Sequence, residues 1–244
     1  MNYNDEILSL DSVVDGRETL PRNPKKEWGK RDPANLKGMV FHQSLEERGS
    51  ASGNAKYHSG PNHISEDGLP GLSYTLFVEK DGKCFLANDV ESKTYSQGYG
   101  GRPGDENEEF IGVCFGGNFY GTGYQGTQEP TPAQLQTARA LWDHCKKLWG
   151  WSDEDLYGHC DFGKPACPGF ELMELVDSIR PARFFSAVEK QKALLELGYY
   201  KGDIDGQWGL ECKAALVEFQ RVAGLIPDGV WGTKTSAAIR VAME

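Results

Sequence analysis

The pattern Asp-Gly-x-Trp-Gly occurs twice near the C-terminus, at Asp205-Gly206-Gln207-Trp208-Gly209 and again at Asp228-Gly229-Val230-Trp231-Gly232. No other feature of the chain restricts its fold as tightly. Asp-Gly makes a turn, and the second glycine permits a tight entry into the next element. The residues after each copy have helical spacing. Ahead of the first copy, residues 187–197 place Leu194, Leu195 and Leu197 near helical period. The tail is therefore expected to form three short helices joined by two similar loops, with Trp208 and Trp231 close together as partly buried turn anchors. Charge marks the edge of this unit. From Arg183 onward the chain carries eight Lys/Arg and eight Asp/Glu, so the whole net charge of −10 lies before it. The Pro-containing run SIRPARFF (178–185) supplies a linker at 181–185.

The residues before it mix strand and helix signals. GMVFH (38–42), YTLFVEKDGKCFLA (74–87, with Asp81-Gly82 as a hairpin turn) and FIGVCFGGNF (110–119) read as strands. TPAQLQTARALWDHCKKLWGW reads as a helix. Thr131 caps it, Pro132 takes the first turn, and Leu135, Ala138, Leu141, Trp142, Cys145 and Trp149 form one apolar face. A second helix comes after Pro168. The expected class is α/β, a mixed central sheet with flanking helices, followed by the small three-helix domain. The expected division is an N-terminal extension (1–27), an α/β domain (28–180), the linker and the tail (186–244).

A net charge of −10 without a stripe of Lys/Arg argues against a nucleic-acid partner. No apolar run approaches the roughly 20 residues of a membrane span, so no membrane insertion is expected. The opening MNYNDEILSLDSVVDGRE is acidic and lacks the basic-then-apolar layout of a signal peptide. Synthesis in a cytoplasm is expected, and the six cysteines then read as thiols rather than as a disulfide framework. Cys84, Cys114, Cys145 and Cys212 lie in strand-like or helical runs and fit small buried hydrophobes.

Cys160 and Cys167 differ, because they sit in the loop YGHCDFGKPACPGF (157–170), which is rich in ligands and poor in core residues. His42 ends a strand, and His159 lies eight residues before Cys167. Zinc takes His nitrogen and Cys sulfur, and a catalytic site keeps three protein ligands and one open position. On spacing alone, a surface His, a buried His and a buried thiol explain the same residues. His58 and His63 fall in a polar loop and read as solvated or rim residues. His144 reads as a surface residue, and Cys160 as structural.

Taken in order, VFHQS, LSYTLFVEKDG, IGVCFGGNF, PTPAQLQTARAL and GHCDFGKPACPGF resemble the zinc-dependent N-acetylmuramoyl-L-alanine amidases, the fold group of phage amidase-type lysozymes and peptidoglycan recognition proteins. The likeness covers roughly residues 28–180. The tail resembles the peptidoglycan-binding domain appended to cell-wall hydrolases. The resemblance implies Zn2+ held by His42, His159 and Cys167, and hydrolysis of the amide between N-acetylmuramic acid and L-alanine by a zinc-activated water. It implies a catalytic Tyr74, which without the family would be an ordinary strand aromatic. Lys164 lies near the family's catalytic Lys but one residue out of register, so catalytic Lys and exposed loop Lys both stand. Tyr95 falls where relatives often carry a His near the glycan, and His58 is a second candidate for substrate contact. Relatives that recycle muropeptides carry Glu where this chain has Cys114, so the phage-type mechanism is expected. The proton for the leaving amine could come from Tyr74, Lys164 or water. The implied partner is bacterial peptidoglycan, met by a monomer acting on the wall after release or delivery. A secreted antibacterial effector would use the same chemistry. A metal-free peptidoglycan-binding protein on this fold would typically lack the Cys ligand.

Overall fold

A computed structural model of the chain describes residues 2–62, 65–96, 106–119, 128–162, 164, 167–180 and 187–243. The elements run α1 (Tyr3–Leu8), β1 (Val13–Asp15), β2 (Gly29–Lys30), β3 (Gly38–Gln43), α2 (Ala51–Ser59), β4 (Leu76–Val78), β5 (Cys84–Leu86), β6 (Ser92–Lys93), α3 (Glu106–Glu109), β7 (Phe110–Phe115), α4 (Pro132–Trp149), β8 (Leu156–Gly158), α5 (Phe170–Ile179), α6 (Ala187–Glu196), α7 (Leu210–Val222) and α8 (Thr233–Ala242). Among the described residues, no helix is long and apolar enough to cross a membrane.

Six strands form a mixed sheet in the order β1-β5-β4-β7-β3-β8, parallel except for the β4–β5 hairpin. Every residue of β3 and β7 is buried. Two-sided burial explains why both read as unbroken apolar runs rather than as alternating ones. The strand expected at 110–119 stops at Phe115. A side chain at Gly116 would put its Cβ 2.1 Å from the Gly49 carbonyl oxygen, so a crossing segment ends the ladder there. The hairpin turn falls as expected at Asp81-Gly82, with Gly82 at φ 85°.

Helix α4 begins as its sequence indicates. Thr131 accepts from the Gln134 amide at 3.1 Å, and the Gln134 side chain accepts in return from the Thr131 amide, closing a capping box. The same buried Gln134 also donates to the Gly116 carbonyl at 3.0 Å, tying the helix start to the end of β7. Ala138, Leu141, Trp142 and Cys145 are fully buried against the sheet. Trp149 stacks on Tyr3 and on Trp151 at 4.8 and 5.0 Å.

The segment 1–27, expected as an extension, is built into this sheet. β1 is its edge strand, parallel to β5, and Ile7 is fully buried in the main core.

The tail forms α6, α7 and α8 around a core of its own that includes Leu194, Leu216, Phe219, Trp231 and Ile239. Leu194 is buried, whereas Leu195 is exposed. The Trp208 and Trp231 rings meet edge to face at 5.7 Å, as the paired turns anticipate. One buried glutamine anchors each turn. Gln191 accepts from the Gly206 amide at 2.8 Å and donates to Asp205. Gln220 accepts from the Gly229 amide at 2.8 Å and donates to Asp228. The repeat visible in the loops thus extends to a helix residue that packs beneath each of them.

Candidate metal centre

Parallel pairing of β3 with β8 aligns Phe41 with Gly158. The next residue in each segment is a histidine, His42 within β3 and His159 opening the 3-10 turn that follows β8, so the two emerge side by side at the same end of the sheet. Their Nδ1 atoms lie 3.1 Å apart. The Cys167 amide bonds the Lys164 carbonyl at 2.9 Å, and its Sγ lies 3.8 Å from His42 Nδ1. Gly169 comes next but one, with φ 94°, and a Cβ there would lie 1.8 Å from the Phe119 carbonyl oxygen. Only glycine fits where this loop crosses the backbone after β7.

The three ligand atoms lie within 4.8 Å of one another. With bonds of about 2.05 Å to nitrogen and about 2.3 Å to sulfur, a tetrahedral zinc places its ligands roughly 3.3 and 3.6 Å apart. The two edges at His42, 3.1 Å to His159 and 3.8 Å to Cys167, lie near those values, and the third is no longer than 4.8 Å. The electrostatics also fit. Burial, then the neighbouring His159, hold His42 well below its usual pKa, so it is a neutral imidazole. Burial pushes the Cys167 thiol up to about 12, against the Gln43 backbone N–H and the Lys164 charge, which pull it back down. The neutral His42 imidazole, a second histidine and a thiol that can give up its proton to a cation form a donor set for a borderline-soft divalent metal.

Tyr74 lies beside this cluster, its ring 5.0 Å from that of His42. It precedes β4 instead of starting it, because the ladder with β7 begins at Leu76 opposite Val113. Burial raises the Tyr74 hydroxyl well above 10, and the neighbouring Cys114 and Cys167 add to the effect, so it remains a hydrogen-bond donor. Cys114 stands opposite His42 in the β3–β7 register, and its thiol hydrogen-bonds with Tyr74.

His58 is corrected by the structure. It belongs to α2, not to a polar loop, and is 6% exposed. Ala51, Asn54, Ala55 and His58 form the buried face of that helix. Its Nδ1 accepts from the Ser73 amide at 3.2 Å, and its ring lies 5.9 Å from Tyr74. Desolvation lowers its pKa to about 4, which keeps it neutral. It therefore stands behind Tyr74 and not at the rim. His144 is half-buried on α4. Tyr95 is 54% exposed, edge-on to Trp28 at 5.4 Å. Lys164 is half-buried. Cys160 is half-buried and its thiol is held well above 9, chiefly by burial, as befits a structural residue. His63 lies outside the described residues.

A buried ion pair underlies the ligand loop, and the spacing of its partners concealed it. Arg180, at the end of α5, meets Asp161 at 2.8 Å, with both side chains buried, and donates to the Leu156 carbonyl at 2.8 Å. Asp161 in turn accepts from the Gly158 amide at 3.0 Å, next to His159. Arg180 also reaches Asp177 at 3.6 Å, which offsets part of its charge when Asp161 is removed. Asp161→Ala is expected to lower unfolding free energy by roughly 2–4 kcal/mol in a urea titration, somewhat less than for a fully unpaired buried charge. A change within about 0.5 kcal/mol, the range of ordinary surface substitutions, would contradict this placement.

A mixed sheet thus ends in a His/His/Cys group that could hold a metal ion, with a tyrosine beside it. The N-acetylmuramoyl-L-alanine amidase family matches residues 32–170, more than half of the chain, and the peptidoglycan binding domain family matches residues 187–239. The chain belongs to the N-acetylmuramoyl-L-alanine amidase family. It is 44% identical over 45 residues to the N-acetylmuramoyl-L-alanine amidase CwlM of Mycobacterium tuberculosis, a match spanning 18% of this chain and 11% of that protein. Solved structures share the fold at low identity. The endolysin amidase LysCS of Clostridium intestinale superposes with a TM-score of 0.52 at 17% identity, covering 70% of this chain and 97% of that one. The Drosophila peptidoglycan recognition protein SD gives 0.52 at 17%, covering 68% and 92%. The Ph2119 endolysin of a Thermus scotoductus bacteriophage gives 0.52 at 14%, covering 68% and 97%.

Proposed function

We propose that this chain hydrolyses the amide joining N-acetylmuramic acid to L-alanine in bacterial peptidoglycan, with zinc held by His42, His159 and Cys167. One observation carries the reading: three ligand atoms of suitable type converge beside a tyrosine hydroxyl that stays protonated. Bound there, zinc supplies Lewis acidity toward an amide carbonyl and eases the deprotonation of water. His42 would bind as it stands, and Cys167 would give up its proton to bind as thiolate. Tyr74 donates a hydrogen bond to the carbonyl oxygen as negative charge develops on it. The leaving alanine amine takes up a proton, and Tyr74 and Lys164 are the nearby side chains able to carry one. Tyr95 offers an exposed aromatic face for the glycan. The C-terminal domain holds the enzyme on the polymer, which raises local concentration without changing the site.

Clearing of purified sacculi tests this reading. Chelation is expected to stop it, and added zinc to restore it. A chain ending at residue 180 should lose more activity on intact wall than on soluble muropeptides. Clearing that persists in a metal-free preparation would overturn the zinc assignment. Equal loss on both substrates would overturn the tethering role of the tail.

A further inference from the structure

We propose that Asn88 is the positioning residue for Tyr74, and that the chain before residue 29 is thereby part of the reaction machinery. The proposal rests on the role given to Tyr74 above. Tyr74 lies outside the β4 ladder, so side chains must fix its backbone. Asn88, 1% exposed, does so from the turn after β5. Its Nδ2 donates to the carbonyls of Leu72 and Tyr74, both at 2.7 Å. Its Oδ1 accepts from the Trp28 indole N–H at 2.7 Å and from the Arg22 guanidinium at 3.0 Å. These partners determine the orientation of the amide, because indole and guanidinium only donate and carbonyls only accept. All four bonding positions of the buried amide are used. His58 holds the Ser73 amide, and the Gly112 carbonyl accepts from the Thr75 amide at 3.0 Å. Backbone groups on both sides of Tyr74 are thus held, and its hydroxyl direction follows.

Arg22 and Trp28 come from the N-terminal segment. Arg22 donates as well to the Ala87 carbonyl at 2.8 Å, and the Asn23 amide bonds the Pro70 carbonyl at 3.0 Å. The segment therefore clasps both the turn carrying Asn88 and the loop leading to Tyr74. No other common side chain of this size provides two donors and an acceptor in one plane. Aspartate has the same shape but would face two carbonyls with a carboxylate oxygen.

The test is a double-mutant cycle of Asn88→Asp with Tyr74→Phe in the full chain, assayed on a soluble muropeptide. Asn88→Asp is expected to lower kcat about ten- to a hundredfold, the scale of a misplaced catalytic group, with KM within about twofold and zinc content unchanged. In the Tyr74→Phe background the same substitution should cost nothing further. With fluorotyrosine incorporated, the residue-74 resonance of metal-free protein should be single in the wild type and broadened or split in Asn88→Asp. Trp28→Phe removes one of the four bonds while keeping a ring. It should show a smaller loss with the same dependence on Tyr74, and it serves if Asn88→Asp does not fold. Equal losses in both backgrounds would make Asn88 fold support alone and overturn the proposal. Undiminished kcat in Asn88→Asp or Trp28→Phe, with Tyr74→Phe impaired, would overturn it too. Full activity in Tyr74→Phe would instead remove the role of Tyr74 itself.

Discussion

Replacing Cys167 by Ser is expected to strip tightly held zinc from the protein and abolish amide hydrolysis, while the fold remains. Purified wild-type chain should carry one zinc per molecule under metal-replete conditions. The variant keeps two imidazoles and an alcohol that does not ionise at neutral pH, so its affinity should fall at least about a hundredfold. A second result comes from the protonation states. The thiol is held near 12 without metal, while His42 is already neutral. Cys167 must therefore give up one proton for each zinc bound. Between roughly pH 7 and 9, zinc affinity should rise about tenfold per unit, with no second proton contributed by His42. Competition with a chelating dye across pH measures both slope and affinity. An affinity independent of pH, or unchanged in Cys167→Ser, would remove Cys167 from the ligand set.

Tyr74→Phe should retain zinc and lose about 10²–10³ in kcat, the cost of removing one donor to a developing oxyanion. The hydroxyl is held well above 10. Its ionisation should therefore not shape the activity profile at or below about pH 10, and any alkaline loss there belongs to another group. Stoichiometric zinc with unchanged kcat would make Tyr74 a packing residue.

The parts legible from sequence were those specified by neighbours along the chain. Thr131, Pro132 and a 3.6-residue apolar period define α4 without help. The two Asp-Gly-x-Trp-Gly turns define the tail. The grouping of His42, His159 and Cys167 was legible because five motifs kept their order, although His42 and His159 lie more than a hundred residues apart. The features that escaped depend on contacts between distant segments. Helix α2 buries only Ala51, Asn54, Ala55 and His58, while Tyr57 faces outward, so its buried face has little hydrophobic signal and His58 passes for a loop residue. β1 is three residues long, and its pairing with β5 is settled by packing, not by propensity. Asn88 reads as an ordinary turn residue in LANDV, and Asp161 and Arg180 become partners only once α5 folds back. Such buried polar hubs look solvated in a sequence because nothing local records which residues cover them.

The measurement that bears most directly on the central claim is the product of digesting purified peptidoglycan. A site with zinc ligands and a donor tyrosine suits amide hydrolysis, whereas glycosidic cleavage needs a pair of carboxylates across the sugar bond. Digestion by the zinc-loaded chain should release free N-terminal L-alanine in step with clearing, with glycan strands intact and no new reducing ends. New reducing ends without free alanine would contradict the account. A new amino terminus within the stem peptide would keep the metal centre but refute the substrate.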